Sequence, residues 1–287
     1  MTRPDIDQHP SDDPHPIDAP GTDEDTWAAW GKLDAFPDAG LAGVASAVIV
    51  AAHPDDEVLG AGGLISILAA SGARLRLVAV TDGEGSHSAS PTNRPRPTSR
   101  TSPTNRPRPT PRASPANRPR PTSCGRPDPV ALGRRRAAES ARALRALGAG
   151  TAEVIRLGMP DTGLADHEEK LTATLAPLVA GFDVCLAPWD HDMHPDHETA
   201  GRAARRADGA PVMWYPVWMW HWASPADPRV PWDRAVRVPL TRDAAARKRA
   251  AISSFTSQTE DRGDGLGPVL SPAMIAHFTR TTEVLLR

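Results

Sequence analysis

The sequence predicts one α/β domain, with a Rossmann-like, mostly parallel sheet and helices on both faces. Short apolar runs of strand length alternate with longer segments of helical periodicity along most of the 287 residues. Two of the apolar runs end abruptly in clusters of His and Asp. Ligands of parallel α/β sheets bind beyond the carboxyl ends of the strands, so these clusters also predict where the functional site lies.

Residues 27–30 are predicted to form the first turn that packs on the domain. The predicted strands and helices then alternate along the chain. Apolar or alternating segments predict strands at 45–52, 74–81, 153–157, 182–187 and 212–222, with an additional edge strand at 231–240. Amphipathic or small-residue segments predict helices at 57–70, 129–147, 166–180, 197–206 and 241–254. This alternation is typical of a parallel sheet.

Two segments have compositions that do not support a packed core. Residues 1–26 contain eight acidic residues, one Arg and many Pro, which predicts a disordered acidic tail. Residues 86–128 contain a 12-residue repeat, rich in Pro and Arg, that begins at Ser90, Ser102 and Ser114. We expect this insertion to be disordered, as a tolerated tandem duplication rather than a basic tether. Residues 27–287 then form one domain that the insertion at 86–128 interrupts.

Charge and cysteine content narrow the class of protein. The net charge of −2 combines the acidic tail with a repeat that carries eight Arg and no acid. The remainder is nearly neutral, so we do not expect nucleic acid as a partner. Cys124 and Cys185 give no disulfide framework, which fits a cytoplasmic location. No apolar run is long enough to predict a membrane span, and these features leave the oligomeric state open.

The two polar clusters have the composition of a metal site. His53, Asp55 and Asp56 follow the first strand, and His194 and His197 follow the fourth. A catalytic zinc ion needs three protein ligands and one open position. His53, one Asp of the first cluster and one His of the second would supply them. Either cluster alone would more often be an ordinary turn, but two clusters at two strand ends favour a metal site.

The same residues carry a family resemblance. Residues 52–57 (Ala-His-Pro-Asp-Asp-Glu), followed by residues 194–197 (His-Pro-Asp-His), resemble the PIG-L/LmbE family of zinc-dependent N-acetylglucosamine deacetylases. The likeness runs from about residue 45 to the C-terminus, apart from the insertion. It implies a Rossmann-like fold, one Zn²⁺ ion and hydrolysis of an acetamide.

The resemblance also implies roles for individual residues. His53, Asp56 and His197 would hold zinc. Asp55 would be the general base that takes a proton from the attacking water, and His194 would stabilise the oxyanion.

Three further residues are expected to bind substrate. Arg136 and Asp161 match positions of the family that contact sugar hydroxyls, although a solvated helix face and a simple turn are the alternatives. Trp218 belongs to a Trp-rich run in the predicted strand 212–222, and its ring suits the apolar face of a sugar. Core packing is the commoner use of such a strand, and both uses stay open.

We therefore expect a zinc-dependent hydrolase that removes acetyl from an N-acetylated sugar or glycoconjugate. One alternative is a zinc amidase that acts on another amide, such as a mycothiol-type conjugate. The other is a non-catalytic sugar-binding protein, against which the intact His and Asp set argues.

Overall fold

A computed structural model of the protein describes residue 17 and residues 19–87, 128–262 and 267–287. The strands of the described residues are β1 (Ser46–Ala51), β2 (Arg74–Thr81), β3 (Glu153–Met159), β4 (Val184–Pro188), β5 (Val212–Tyr215), β6 (Ala235–Pro239) and β7 (Thr282–Leu286). The α-helices are α1 (Glu24–Trp30), α2 (Asp56–Ala70), α3 (Pro129–Ala146), α4 (Glu168–Val179), α5 (Pro195–Arg206), α6 (Met219–Trp222), α7 (Arg242–Ile252), α8 (Thr256–Thr259) and α9 (Pro272–Ala276).

The strands form one sheet in the order β3-β2-β1-β4-β5-β7-β6. The five strands from β3 to β5 are parallel, and β7 pairs antiparallel with β5 and β6. The chain moves outward from β1 through β2 to β3 and then returns to β4 beside β1. The adjacent ends of β1 and β4 are therefore a topological switch point, where ligands of such sheets bind. The predicted fold class is confirmed.

Helix α2 approaches the sheet closely because its first turns are built from small residues. A Cβ atom added at Gly60 would lie 2.1 Å from the ring of Tyr215, and one at Gly63 would lie 2.5 Å from Leu240. The helix is broken at Ala61, and the carboxylate of Glu283 accepts hydrogen bonds from the backbone N–H groups of Gly63 and Leu64. The part of α2 that follows the break is thereby held against β7.

The predicted strand at 212–222 is wrong beyond Tyr215. Pro216 has no N–H to donate to a ladder, and β5 lies between β4 and β7, where such a donor is needed. The chain turns there and forms the short helix α6, so Trp218, Trp220 and Trp222 do not share a strand face. The edge strand expected at 231–240 is present as β6, and β7 was not predicted.

The prediction of a disordered segment is wrong for residues 23–26. Asp23 caps α1, Glu24 forms ion pairs with His277 and Arg280, and Trp27 is fully buried. The hydrogen-bond partners of Glu24 and Trp27 lie 193 to 256 residues away in the chain, so the composition of the segment gave no sign of them. Residues 1–16 and 18 lie outside the described residues. So does the insertion expected at 86–128, except Ser86, His87 and Asp128.

No helix within the described ranges combines the length and the apolar character needed to cross a bilayer.

Candidate active site

The turn between β1 and α2 presents the first group of polar side chains. His53 and Asp55 follow β1, and Asp56 begins α2. Asp55 has φ 126° and ψ −30°, a conformation that a non-glycine residue adopts only under strain. The backbone N–H of His53 donates to Oδ2 of Asp56 at 2.8 Å. Three potential functional groups therefore converge within one turn, and the strain at Asp55 is the conformational cost of that convergence.

Asp56 lies between two imidazole rings. Its Oδ2 is 3.4 Å from Nδ1 of His53, and its Oδ1 is 3.2 Å from Nε2 of His197. The structure thus brings together the three residues expected to bind zinc. When one ligand atom of each residue must lie within 4.8 Å of the others, the groups found among the described residues are instead His53–His194–His197 and His53–Asp161–Asp196. His53 is common to all three sets.

The carboxylate of Asp192, a residue not predicted to be functional, orients the ring of His197. Nδ1 of His197 lies 2.8 Å from Oδ2 of Asp192, and both side chains are fully buried. Asp192 also accepts hydrogen bonds from the backbone N–H groups of Val217, Trp218 and Met219. With Nδ1 directed at Asp192, Nε2 is the ring nitrogen of His197 that faces Asp56. Such carboxylate–histidine pairs fix the tautomer of metal-binding histidines.

His194 caps the N-terminus of α5 through its side chain. Its Nδ1 accepts from the backbone N–H of Asp196 at 3.3 Å, so in the neutral ring the proton is on Nε2. Burial, together with the nearby rings of His197 and His53, lowers the pKa of His194 well below its ordinary value. His194 is therefore a neutral imidazole with a hydrogen-bond donor at Nε2, which suits stabilisation of an oxyanion.

Asp55 is paired with Arg136 on α3. Nη2 of Arg136 lies 3.1 Å from Oδ2 of Asp55 and donates to the carbonyl of Pro54, while Nη1 donates to the carbonyl of Gly83. Burial raises the pKa of Asp55 to about 7, against the lowering influence of the Arg136 charge. A carboxylate with a pKa near neutrality is suited to proton transfer.

Arg136 is buried, so it does not lie on a solvated helix face, which was the alternative to substrate binding. Only 2% of it is exposed, and its Nη atoms bind protein groups, which leaves Nε without a hydrogen-bond partner in the part of the chain that the structure describes. Its side chain lines the cavity described below, so contact with substrate stays a proposal.

Asp161 and Asp196 meet the other nitrogen of His53. Oδ1 of Asp161 lies 3.3 Å from Nε2, and Oδ2 of Asp196 lies 3.1 Å from it. Burial alone would raise the pKa of Asp161, but its hydrogen bond to His53 and the charge of that ring lower the pKa to about 2. Asp196 also accepts from the backbone N–H groups of Thr162 and Leu164, which fixes the 162–164 loop against α5.

These groups open into a cavity of about 600 Å³, a volume that suits a small organic ligand. One wall is polar, and it comprises His53, Asp55, Asp56, Arg136, Asp161, His194 and His197. Trp218 lines the cavity beside His194, with the two rings nearly parallel and 6.4 Å apart. Trp220 is instead buried against Trp27. The Trp-rich run is therefore divided between the cavity and the core, and sugar contact by Trp218 stays a proposal.

Asp192 and Asp196 were missed as functional residues. Both lie inside the second polar cluster, so the composition of the cluster was a signal. Nothing in the sequence showed that Asp192 would point back at His197 or that Asp196 would reach His53. Both contacts depend on how the loop after β4 folds.

The donor set fits a divalent metal ion. Two imidazoles and a carboxylate, all buried, are typical zinc ligands. Nε2 of His197 is buried and faces Oδ1 of Asp56 at 3.2 Å, so two atoms that could share a metal ion lie side by side. Three carboxylates, those of Asp56, Asp161 and Asp196, surround His53 and raise its pKa well above the ordinary value although burial opposes this. The same negative field would favour a bound cation.

Comparison with known sequences gives one family. The PIG-L family, described as GlcNAc-PI de-N-acetylase, matches residues 48–207, which is more than half of the chain. No curated protein matches the sequence.

Comparison with solved structures shows a shared fold. A conserved protein from Thermus thermophilus is 22% identical with a TM-score of 0.51, over 85% of this chain and 94% of that chain. The N,N'-diacetylchitobiose deacetylase from Pyrococcus horikoshii is 19% identical with a TM-score of 0.51, over 85% and 82% of the two chains. The A40926 pseudoaglycone deacetylase Dbv21 is 15% identical with a TM-score of 0.50, over 85% and 96%.

Proposed function

Because this chain belongs to the PIG-L family and is thus a hydrolytic amide deacetylase, we propose that it removes acetyl from an N-acetylated sugar or glycoconjugate with Zn²⁺ as cofactor. The single observation that carries the proposal is the convergence of Asp55, His194 and the His53–Asp56–His197 set on one cavity. The two deacetylases of similar fold act on N,N'-diacetylchitobiose and on the A40926 pseudoaglycone. Two cysteines in 287 residues also favour the cytoplasm as its location.

In this proposal His53, Asp56 and His197 hold the metal. A zinc ion there would lower the pKa of water and polarise the amide carbonyl. Asp192 keeps the proton of His197 on Nδ1, so that Nε2 stays free to bind the ion.

Proton transfer belongs to Asp55 and oxyanion stabilisation to His194. Asp55 takes a proton from the attacking water and later delivers it to the departing amine. Arg136 holds Asp55 in place and keeps its carboxylate available near neutral pH. Nε2–H of His194 donates to the oxygen that becomes negative in the tetrahedral transition state.

Substrate would be held by the remaining lining groups. The ring of Trp218 offers a flat surface for the apolar face of a sugar. Asp161 and Arg136 lie at the polar wall, where Asp161 would accept from sugar hydroxyls and Nε of Arg136 would donate.

A substrate panel tests the proposal. Zinc-loaded protein and its Asp55→Asn variant are incubated with N-acetylglucosamine, N,N'-diacetylchitobiose and a mycothiol-type conjugate, and released acetate and amine are measured. The proposal expects acetate from an N-acetyl sugar with wild type and almost none with Asp55→Asn. Cleavage of the conjugate without deacetylation of a sugar would favour the amidase alternative. Sugar binding without cleavage would overturn the proposed substrate.

A further inference from the structure

A second cavity lies outside the proposed catalytic centre and shares no lining residue with it. It has a volume of about 250 Å³ and is formed by the loop after β4, the end of α5 and the antiparallel part of the sheet. Its buried floor consists of Trp189, Trp214 and Leu286. We call it the arginine pocket, because its lining includes Arg205, Arg229, Arg234 and Arg287.

The positive charge of the arginine pocket is only partly neutralised. Arg205 lies 3.3 Å from Oδ2 of Asp190, and Arg229 is bonded to Asp227. Arg234 has no ion pair or hydrogen bond through its side chain within the described residues, and its guanidinium lies 5.9 Å from the ring of Trp214.

Arg287 is the fourth arginine of the pocket. Its side chain donates to the backbone carbonyls of Ala39 and Asp38, which carry no net charge. Of the four guanidinium groups, those of Arg205 and Arg229 pair with carboxylate side chains, and those of Arg234 and Arg287 pair with none within the described residues.

A buried polar group on the floor also lacks a partner. Nε1 of Trp214 has no hydrogen-bond acceptor in the described part of the chain, although only 8% of the residue is exposed. A buried donor without an acceptor is costly, and native structures usually satisfy it. Because Nε1 itself has almost no accessible surface, Trp214 offers a ligand in the cavity apolar contact through its ring and no hydrogen bond.

We propose that the arginine pocket binds the phosphate group of a small phosphate ester. Guanidinium groups match phosphate oxygens with paired N–H donors, and several around one cavity favour a doubly charged oxyanion over a single carboxylate. The indole rings of Trp189 and Trp214 provide apolar contact for the organic part of the ester. The site goes beyond the proposed deacetylation, because none of its residues takes part in that reaction.

Titration calorimetry on the zinc-loaded full chain tests the proposal. Inorganic phosphate, phenyl phosphate and acetate are titrated at constant ionic strength into wild type, Arg234→Gln, Arg287→Gln and Arg242→Gln. Arg242 is an exposed arginine on α7 and serves as the matched control. Because Arg234 and Arg287 are exposed, their Gln variants should fold, and a melting curve checks this.

The proposal expects phosphate to bind wild type and Arg242→Gln equally, and Arg234→Gln and Arg287→Gln about tenfold more weakly, as for the loss of a hydrogen bond to a charged group. Phenyl phosphate should bind at least as tightly as phosphate, and acetate much more weakly. Equal phosphate binding by wild type, Arg234→Gln and Arg287→Gln would place the anion elsewhere, such as the catalytic centre, and overturn the proposal. Absence of phosphate binding, or tighter binding of acetate, would overturn it as well.

Discussion

Oδ2 of Asp192 lies 2.8 Å from Nδ1 of His197, and neither side chain is accessible to solvent. The carboxylate also binds the backbone N–H groups of Val217 and Met219. One residue therefore ties the loop after β4 to the turn after β5 and at the same time sets the tautomer of a proposed metal ligand.

Asp192→Asn should weaken zinc binding. The amide keeps the shape of the carboxylate but loses the charge that holds the proton on Nδ1 of His197. Loss of such a partner costs about 10- to 100-fold in metal affinity. Competition with a chelator measures the affinity, and Asp233→Asn, an exposed acid, is the control. Wild-type affinity in Asp192→Asn would show that Asp192 only supports the loop.

Substitution of the adjacent acids Asp55 and Asp56 by Asn should have different effects on zinc content and on rate. Asp55→Asn cannot accept a proton and should keep zinc while the rate falls by about 10²–10⁴. Asp56→Asn replaces an anionic ligand with a neutral one and should lose zinc, with partial recovery of activity in excess zinc. Metal analysis and rate measurement on both variants distinguish the roles. Zinc loss in Asp55→Asn with a zinc-loaded, inactive Asp56→Asn would reverse the assignment.

Arg136→Met should move the acid limb of the pH–rate profile to higher pH. Burial raises the pKa of Asp55 to about 7, and the charge of Arg136 opposes that rise. Without the charge the pKa of Asp55 rises further, so the basic form is populated only at higher pH. The dependence of kcat/KM on pH reports this shift.

Two comparisons separate charge from structure at Arg136. Arg136→Lys retains the positive charge and should bring the limb back toward wild type. Arg134→Met changes an exposed arginine on the same helix and should leave the profile unchanged. An unshifted limb in an active Arg136→Met protein would contradict the proposed link between Arg136 and Asp55.

Excision of residues 90–123 should leave a folded, zinc-loaded enzyme. Apart from proline, the segment has no apolar side chain larger than alanine, so its sequence offers nothing to a core. Shortening a loop changes its closure entropy only logarithmically. Melting temperature, zinc content and activity compare the shortened protein with wild type. If the variant is recovered only as aggregate, the repeat has a structural role.

The parallel core was predictable because its pattern is local. The segments at 45–52 and 74–81 are apolar runs of strand length, and the following helices carry their own periodicity. The prediction of a strand at 212–222 was wrong for two reasons, because Pro216, a signal present in the sequence, ends the strand and a distant group then holds the chain in another conformation. Asp192 takes up backbone N–H groups at residues 217–219 that a strand would have offered to its neighbours.

The sequence predicted which motif residues meet at the site, but it did not predict the residues that hold them in place. His53, Asp56 and His197 meet as expected, because the ends of β1 and β4 are adjacent in this topology. The contacts of Asp192 and Asp196 arise only when the loop after β4 folds back over the site.

The central claim concerns the ligand set, and zinc content measured across four variants tests it most directly. The geometry also groups His194 with His53 and His197 within 4.8 Å, so Asp56 and His194 compete for the third ligand position. Zinc per chain is determined for His53→Ala, Asp56→Asn, His194→Ala and His197→Ala. We predict one zinc in wild type, strong loss in the His53, Asp56 and His197 variants, and full zinc with low activity in His194→Ala. Zinc loss in His194→Ala together with retention in Asp56→Asn would contradict the account.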